Sequence, residues 1–385
     1  MYTGELDKNP HGFSDEQVAF GQLAYRLSKK YERCSFSDQD ALDAYWRDLV
    51  DNGFAGIYIP EQFGGLGQDM LTMCIVTEQS SAAGWPAQKL VLTQAIFSTI
   101  LLRNGTEEQQ KFWLPPIARG DLKFCFGLTE AEAGSNAPRM RTTARRKGDN
   151  WVLNGQKTYI SGVDDSHAIL LAARTPEAND GITLFIVENP FERIPNQRVQ
   201  LSGMRMYERQ FTLYIEDLEV PAENVVGIPG KGMRALFDGL NPERLLVAGQ
   251  SVGLGRWGVA KAAAYALQRK VFDDVIGTFQ AVQHPLAESY AQLEAAWALT
   301  VSAAREFDKG GQAGEESNIA KFVATDAAFA AMDRCLQTHG GSGFTDETVI
   351  LDRYLITRLL KSAPVSREMA LNHIAQNALG LPRSY

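Results

Sequence analysis

The sequence predicts an α+β fold in which a β-rich segment sits between two helical ones. Three observations support it. Residues 14–120 carry apolar residues at helical spacing, residues 121–220 switch to short β-branched and aromatic runs, and helical spacing returns from about residue 231. Domain boundaries are expected at 1–122, 123–230 and 231–385, an order unlike the βαβ alternation of a doubly wound sheet. At 385 residues, with 45% hydrophobic and 22% charged residues, the chain has material for two or three such domains.

The first helix opens at "SDEQVAFGQLAYRLSKKYE", with Ser14 as N-cap and Val18, Leu23 and Leu27 at helical spacing. "PEQFGGLGQDM" is a Gly-rich loop. "TEEQQKFWLPPIARG" reads as a short capped helix stopped by Pro115 and Pro116. "KFCFGLTE", "WVL", "KTYIS", "AILLAAR", "ITLFIVE" and "FTLYIEDLEV" read as strands, and Asn154-Gly155 predicts a hairpin turn between two of them. In "LNPERLLVAG", Asn241 suits an N-cap, Pro242 the first helical position, and Glu243 the positive field of a helix start. Leu245, Ala248, Val252, Val259, Ala263 and Ala266 then form the stripe of a long buried helix. Gly249, Gly253 and Gly255 weaken that helix, which points to close approach by another helix or by a ligand, with helix packing the first expectation.

A net charge of −8 argues against nucleic-acid binding. The one dense basic patch, "RMRTTARRK" (Arg139, Arg141, Arg145, Arg146, Lys147), reads equally as a solvated face or a phosphate contact. Four cysteines and five histidines are scattered, so neither a disulfide framework nor a metal site is indicated. The opening "MYTGELDKNPHGFSDEQ" has no basic-then-apolar pattern, and no window approaches a membrane span. The expectation is a cytoplasmic protein. "GKGMRA" matches a dinucleotide fingerprint, but helix rather than a βαβ unit follows it, so it is set aside.

"FGLTEAEAGSN", Phe126 to Asn136, places Thr129 and Ser135 among small residues in a turn after an apolar strand. Such a turn exposes backbone N–H groups to an anion or a polar ring edge, and an ordinary turn is an equal reading. Together with "LNGQKTYISG" this stretch closely resembles the acyl-CoA dehydrogenase family, which commonly shows TEPxAGSD followed by NGxKxWITN. "IPEQFGGLG", "LPPIARG", "EDLEVPAENVVG", "YALQRKVF" with Gln280, and "QTHGGSGF" match in the family's order from about residue 14 to 375.

The resemblance implies a helical N-terminal domain, a middle β-domain and a C-terminal four-helix bundle holding FAD, usually as a homotetramer. Phe126, Leu128 and Thr129 would line the flavin, and Ser135 would lie between flavin and thioester. Tyr159 stands where the family has Trp, followed by Ile160, and Ser161 stands for the Thr near N5. Arg269, Phe272, Gln280, Gln337, Gly340 and Gly341 resemble the part that holds the pyrophosphate and adenine. Asp273 replaces the usual Gly of RxxFG, so it is expected to point away or the backbone to differ there.

Many members draw the catalytic base from a C-terminal EGTSE-like segment. Here that region reads "LKSAPVSREM", which sets Pro364 at the base position, with Ser366 and Glu368 on the flavin side. A second branch, resembling isovaleryl- and long-chain acyl-CoA dehydrogenases, carries its base in an LxxER context. "LNPER" matches, which makes Glu243 the expected base and Asn241 and Arg244 substrate contacts. A helix start would lower this carboxyl's pKa and an apolar pocket would raise it, and the sequence leaves that balance open.

The implied activity is α,β-dehydrogenation of an acyl-CoA thioester in fatty-acid or amino-acid catabolism, with an electron-transfer flavoprotein as acceptor. The alternatives are an acyl-carrier-protein thioester or a specialised biosynthetic flavin oxidation on the same fold, or a flavin- or acyl-CoA-binding protein without dehydrogenase activity.

Overall fold

The computed structural model describes residues 11–384, so the first ten residues of the opening stretch lie outside the described residues. Helices α1 (Asp15–Lys29), α2 (Gln39–Asp51), α3 (Met70–Ala82), α4 (Gln88–Leu90), α5 (Thr99–Asn104) and α6 (Glu107–Ala118) come first. Strands β1 (Phe124–Gly127), β2 (Thr143–Lys147), β3 (Asn150–Ser161), β4 (Ala168–Thr175) and β5 (Gly181–Glu188) follow. After the short α7 (Pro190–Arg193) come β6 (Asn196–Val199), β7 (Gln210–Pro221) and β8 (Val225–Val226). The long α8 (Gly232–Ala266) leads to a small hairpin, β9 (Lys270–Val271) and β10 (Asp274–Val275). Helices α9 (Gln280–Asp308), α10 (Gly314–His339), α11 (Ile350–Leu360) and α12 (Arg367–Asn377) complete the chain. Among the described residues, no helix is long and apolar enough to cross a membrane.

These elements form two units. One comprises Leu49–Gln68 and Lys89–Leu240, the other the residues up to Asp48, Asp69–Gln88 and the chain from Asn241 onward. In the first unit the sheet order is β6-β7-β3-β2-β4-β5-β8, with β1 parallel to β4. β4 is buried along nearly its whole length because both its faces are covered. Ala168, Leu170 and Ala172 pack with Ile100, Trp113 and Ile117 of the helices, while Ile169, Leu171 and Ala173 pack with Trp151, Phe185 and Leu213. That is why "AILLAA" shows no alternation of apolar and polar residues. In the second unit, every residue of α3 is buried. A Cβ on Gly249 would meet the Cys74 carbonyl oxygen at 2.8 Å, and one on Gly253 the Glu78 carbonyl oxygen at 2.1 Å. The glycines of α8 therefore serve helix packing, as expected.

Helix N-caps at Ser14 and Thr106 form as the sequence predicts, each in a capping box with a Gln three residues on. Three local readings are overturned. Pro115 and Pro116 lie inside α6 rather than ending it. Trp113, Leu114 and Ile117 are buried in the core, and packing of that face outweighs the ladder bonds the prolines remove. Asn154-Gly155 makes no hairpin; β3 runs through it, with a register shift against β7. Thr142 lies so close that a Cβ on Gly155 would fall 2.5 Å from its Cα, and the Asn154 side chain donates to the Asp217 carboxylate and accepts from the Asp217 N–H. The actual hairpin turns at Gly148-Asp149 between β2 and β3, where Gly148 has φ +62°.

The third correction concerns "LNPER". Helix α8 begins at Gly232, so Asn241 is no N-cap, Pro242 is not at N1, and Glu243 is interior. Upstream, Ala235 and Leu236 are buried with Met233 and Leu240 packed against the same core, and this fixes the helix before the proline is reached. Pro242 then costs one ladder hydrogen bond inside a helix held by burial.

Candidate active site

Within the sheet-bearing unit, the ends of β1 and β3 are joined below the turn that carries Thr129 and Ser135. The Thr129 carbonyl accepts from Thr158 N–H at 2.9 Å, and the Leu128 carbonyl accepts from the Lys157 ammonium at 3.0 Å. Phe126, Leu128, Thr129, Tyr159, Ile160 and Ser161 are thus brought to one end of the sheet, with the exposed Ser135 on the loop beyond.

Sequence reading missed what holds that turn. Glu130 accepts from the Arg141 N–H at 2.5 Å, the Thr142 N–H at 3.0 Å, the Thr142 hydroxyl at 2.6 Å and Lys157 at 2.8 Å. Burial pushes its carboxyl up, but these donors together hold it below the ordinary value. The fully buried Lys157 is lowered by burial, against the pull of Glu130. A period-two strand pattern carries no sign that one inward position is a lysine's, so only its partner across the turn reveals the pair.

Tyr159 sits where β3 and β7 lose register, with φ +56°. A left-handed aromatic residue is strained, and this one is also 61% exposed while Ile160 beside it is buried. The bulge turns an aromatic face outward at the end of the strand. Ser161 exchanges hydrogen bonds with the Gln210 amide at 2.8 and 3.1 Å.

The basic patch is a solvated, ion-paired face. Arg141 pairs with Glu132 at 2.6 Å and Lys147 with Glu219 at 2.8 Å, and the Arg146 guanidinium lies over Trp151. "GKGMRA" is packing too, since a Cβ on Gly232 would meet the Ile182 carbonyl oxygen at 2.7 Å.

In the other unit, Glu243 is buried on α8 and its Oε2 has no hydrogen-bond partner. Burial raises its pKa to about 8, opposed by Arg244 and by Lys321 on α10. Because the residue is interior to the helix, no helix-start field offsets the desolvation. Arg244 donates to the Asn241 side chain, whose amide donates to the Gln312 carbonyl at 2.9 Å. Lys321, fully buried and unnoticed in the sequence, donates to the Val365 carbonyl at 2.6 Å, and burial with repulsion from Arg244 lowers it to about 8. It thereby ties α10 to the altered C-terminal segment. In that segment Ser366 caps α12 by accepting from the Met369 N–H, and both Pro364 and Glu368 are exposed.

Arg269, Phe272, Gln280, Gln337, Gly340 and Gly341 are all exposed. Tyr265 and His339, with ring centroids 4.4 Å apart, bring the ends of α8 and α10 together beneath them. Phe272 and Asp273 form the turn of the β9–β10 hairpin, Phe272 at φ +58° and 93% exposed. Asp273 is exposed in that turn.

The helical–β–helical order, the outward Tyr159 at its bulge and the buried Glu243 carboxyl are the features that set this chain beside known proteins, and those place it among flavin-dependent oxidoreductases. The chain belongs to the acyl-CoA dehydrogenase family, whose members are FAD-dependent: the N-terminal, middle and C-terminal domain models of that family match residues 16–121, 125–217 and 230–379. It is 39% identical over 345 residues to acyl-CoA dehydrogenase FadE12 of Mycobacterium tuberculosis, covering 88% of this chain and 89% of that protein. It is 32% identical over 347 residues to the caffeyl-CoA reductase-Etf complex subunit CarC of Acetobacterium woodii, covering 87% and 90%. The structure of butyryl-CoA dehydrogenase from Megasphaera elsdenii superposes with a TM-score of 0.86 at 26% identity, covering 96% of this chain and 99% of that one.

Proposed function

We propose that this protein carries out FAD-dependent α,β-dehydrogenation of an acyl-CoA thioester, with Glu243 removing the proton next to the thioester carbonyl. The observation that carries the reading is Glu243 itself, a buried carboxyl with an orphaned oxygen and a pKa near 8. A base of that strength takes a weakly acidic proton more readily than an ordinary carboxylate and is regenerated near neutral pH. Bound FAD supplies the acceptor for the hydride that leaves the neighbouring carbon.

The chain's residues fit the cofactor. Tyr159 offers an aromatic face and Ser161 a hydroxyl, the main-chain groups of Phe126, Leu128 and Thr129 edge the same end of the sheet, and Arg269 offers a cation suited to a pyrophosphate. Ile160, Phe272, Gln280, Gln337, Gly340, Gly341, Ser366 and Glu368 complete the proposed cofactor set. Ser135 is assigned to both cofactor and substrate. Asn241 and Arg244, bonded to each other, set the charge beside Glu243 and remain the proposed substrate contacts.

An electron-transfer flavoprotein is the proposed acceptor, supported by the name of the A. woodii relative. A homotetramer and a catabolic role rest on the family resemblance alone, and cytoplasmic placement on the composition and opening stretch of the sequence. The same relative is a reductase, and a carboxyl with pKa about 8 is mostly protonated at neutral pH, so it equally delivers a proton in the reverse direction.

Glu243→Gln tests the reading. The variant is expected to keep the yellow flavin and lose substrate-dependent bleaching, with turnover down by roughly 10²- to 10⁴-fold. Undiminished bleaching on anaerobic addition of acyl-CoA overturns the assignment.

A further inference from the structure

A second buried carboxyl lies in the sheet-bearing unit, and nothing above uses it. Glu208 is 8% exposed, and its Oε1 has no hydrogen-bond partner. It lines a cavity of about 20 Å³ with Lys89, Lys123, Ser161, Gly162 and Asp165. That volume holds about one water molecule. The Glu208 side chain packs on the turn after β3, since a Cβ on Gly162 would fall 3.2 Å from its Cγ. Gln210 links it to Ser161, donating to the Ser161 hydroxyl at 2.8 Å and to the Glu208 carbonyl at 3.3 Å.

The charges around it come from several elements. Lys89 on α4 and Lys123 ahead of β1 each reach one oxygen of Asp165 at 2.6 Å. Asp164 in the same turn pairs with Arg209, next to Glu208 in sequence. Two ammonium groups and one carboxylate leave the cavity wall at +1 when Glu208 is protonated and neutral when it is ionised.

We infer that Glu208 is a proton-holding residue whose ionisation follows the redox state of the flavin beside Ser161, taking up a proton from solvent when the flavin is reduced. The inference rests on the proposal that Ser161 contacts the flavin. A hydride brings two electrons and one proton, so its arrival adds one negative charge on that side. That charge favours the neutral carboxylic acid over the carboxylate. One proton then moves from solvent to the Glu208 carboxylate, an O–H bond forms, and the cavity wall gains the +1 that balances the added charge. Burial, opposed by Lys89, already places the carboxyl near pKa 7, where a modest perturbation changes its occupancy. Reoxidation by a one-electron acceptor reverses the step and returns the proton.

The holoenzyme is reduced photochemically in weakly buffered indicator solution, and protons taken up per flavin are counted across pH. Wild type is expected to exceed Glu208→Gln by a sizeable fraction of one proton near and just above pH 7. The excess vanishes about two pH units to the acid side, where the carboxyl is already protonated. Infrared difference spectra should show a protonated-carboxyl band growing on reduction in wild type and in Glu208→Asp, but not in Glu208→Gln. Equal uptake by wild type and Glu208→Gln, or no such band in wild type, overturns the inference and leaves the flavin reading standing. A purified wild-type protein that binds no flavin overturns both. If Glu208→Gln fails to fold, the band and its pH dependence in wild type and Glu208→Asp decide the matter alone.

Discussion

Glu130 and Glu243 are both buried carboxylates with a buried lysine in their electrostatic field, yet they are opposite in kind. Glu130 receives four donors and is held below the ordinary carboxylate value. Glu243 has an oxygen without a partner and is raised to about 8. Burial is common to both; the donors make the difference. A satisfied buried acid is structure, fixing the turn that carries Thr129. An unsatisfied one costs stability when ionised and holds its proton to higher pH, the property the proposed base role of Glu243 draws on.

The sharpest way to break the comparison is to make Glu130 resemble Glu243. Lys157→Met leaves a buried carboxylate without its cation and is expected to cost about 3–5 kcal/mol in denaturant unfolding. Adding Glu130→Gln should recover much of that loss. No recovery would mean that packing of the lysine stem, rather than the ion pair, holds the turn.

The two acids also predict opposite pH responses. Glu243 must be ionised to act as base, so kcat/KM should rise with pH through about 8, with activity near pH 6 roughly 100-fold below the plateau. For stability the signs are as follows. Glu130, lowered in the folded state, contributes stability above its unfolded value, and this is lost as pH falls through the folded one. Glu243, raised in the folded state, costs nothing below its ordinary value of 4.5, and its cost grows as pH rises toward about 8. A kcat/KM profile flat between pH 6 and 9 would remove Glu243 from the base role.

A smaller effect is expected at Lys321, whose charge holds Glu243 below where burial alone would put it. Lys321→Met should move the alkaline rise of kcat/KM further up and reduce activity at pH 7 by roughly 3- to 10-fold, with recovery at higher pH. A uniform loss at every pH would instead mark the bond to Val365 as its only role. The smallest effect belongs to Tyr159, where Tyr159→Gly relieves a left-handed backbone and should stabilise the protein by about 1 kcal/mol while weakening flavin retention. A thermal melt and flavin content measured on the same sample check both halves.

Much of this was legible in the sequence. The helical–β–helical order came from periodicity, because amphipathic spacing reports burial directly. The Ser14 and Thr106 caps came from side chains bonding backbone groups within three residues. Glu243 was named through the resemblance of "LNPER", and its neighbour Arg244 with it. Glu130–Lys157, Glu208 and Lys321 were not legible, because each gains its meaning from a partner more than ten residues away.

The sequence by itself determined the α+β class, the family and the residues to suspect, since these rest on spacing and short-range chemistry. Tertiary structure alone decided where local signals yield. It carried α6 through two prolines, ran β3 through Asn154-Gly155, and placed Glu243 inside a helix that its own neighbours seemed to start. In each case burial of apolar neighbours such as Trp113 and Leu236, or the close approach of Thr142, outweighed a local preference for a turn or a helix end. Tertiary structure likewise settled the balance at Glu243. With no helix terminus nearby and an oxygen left without a donor, desolvation prevails and the carboxyl keeps its proton to about pH 8.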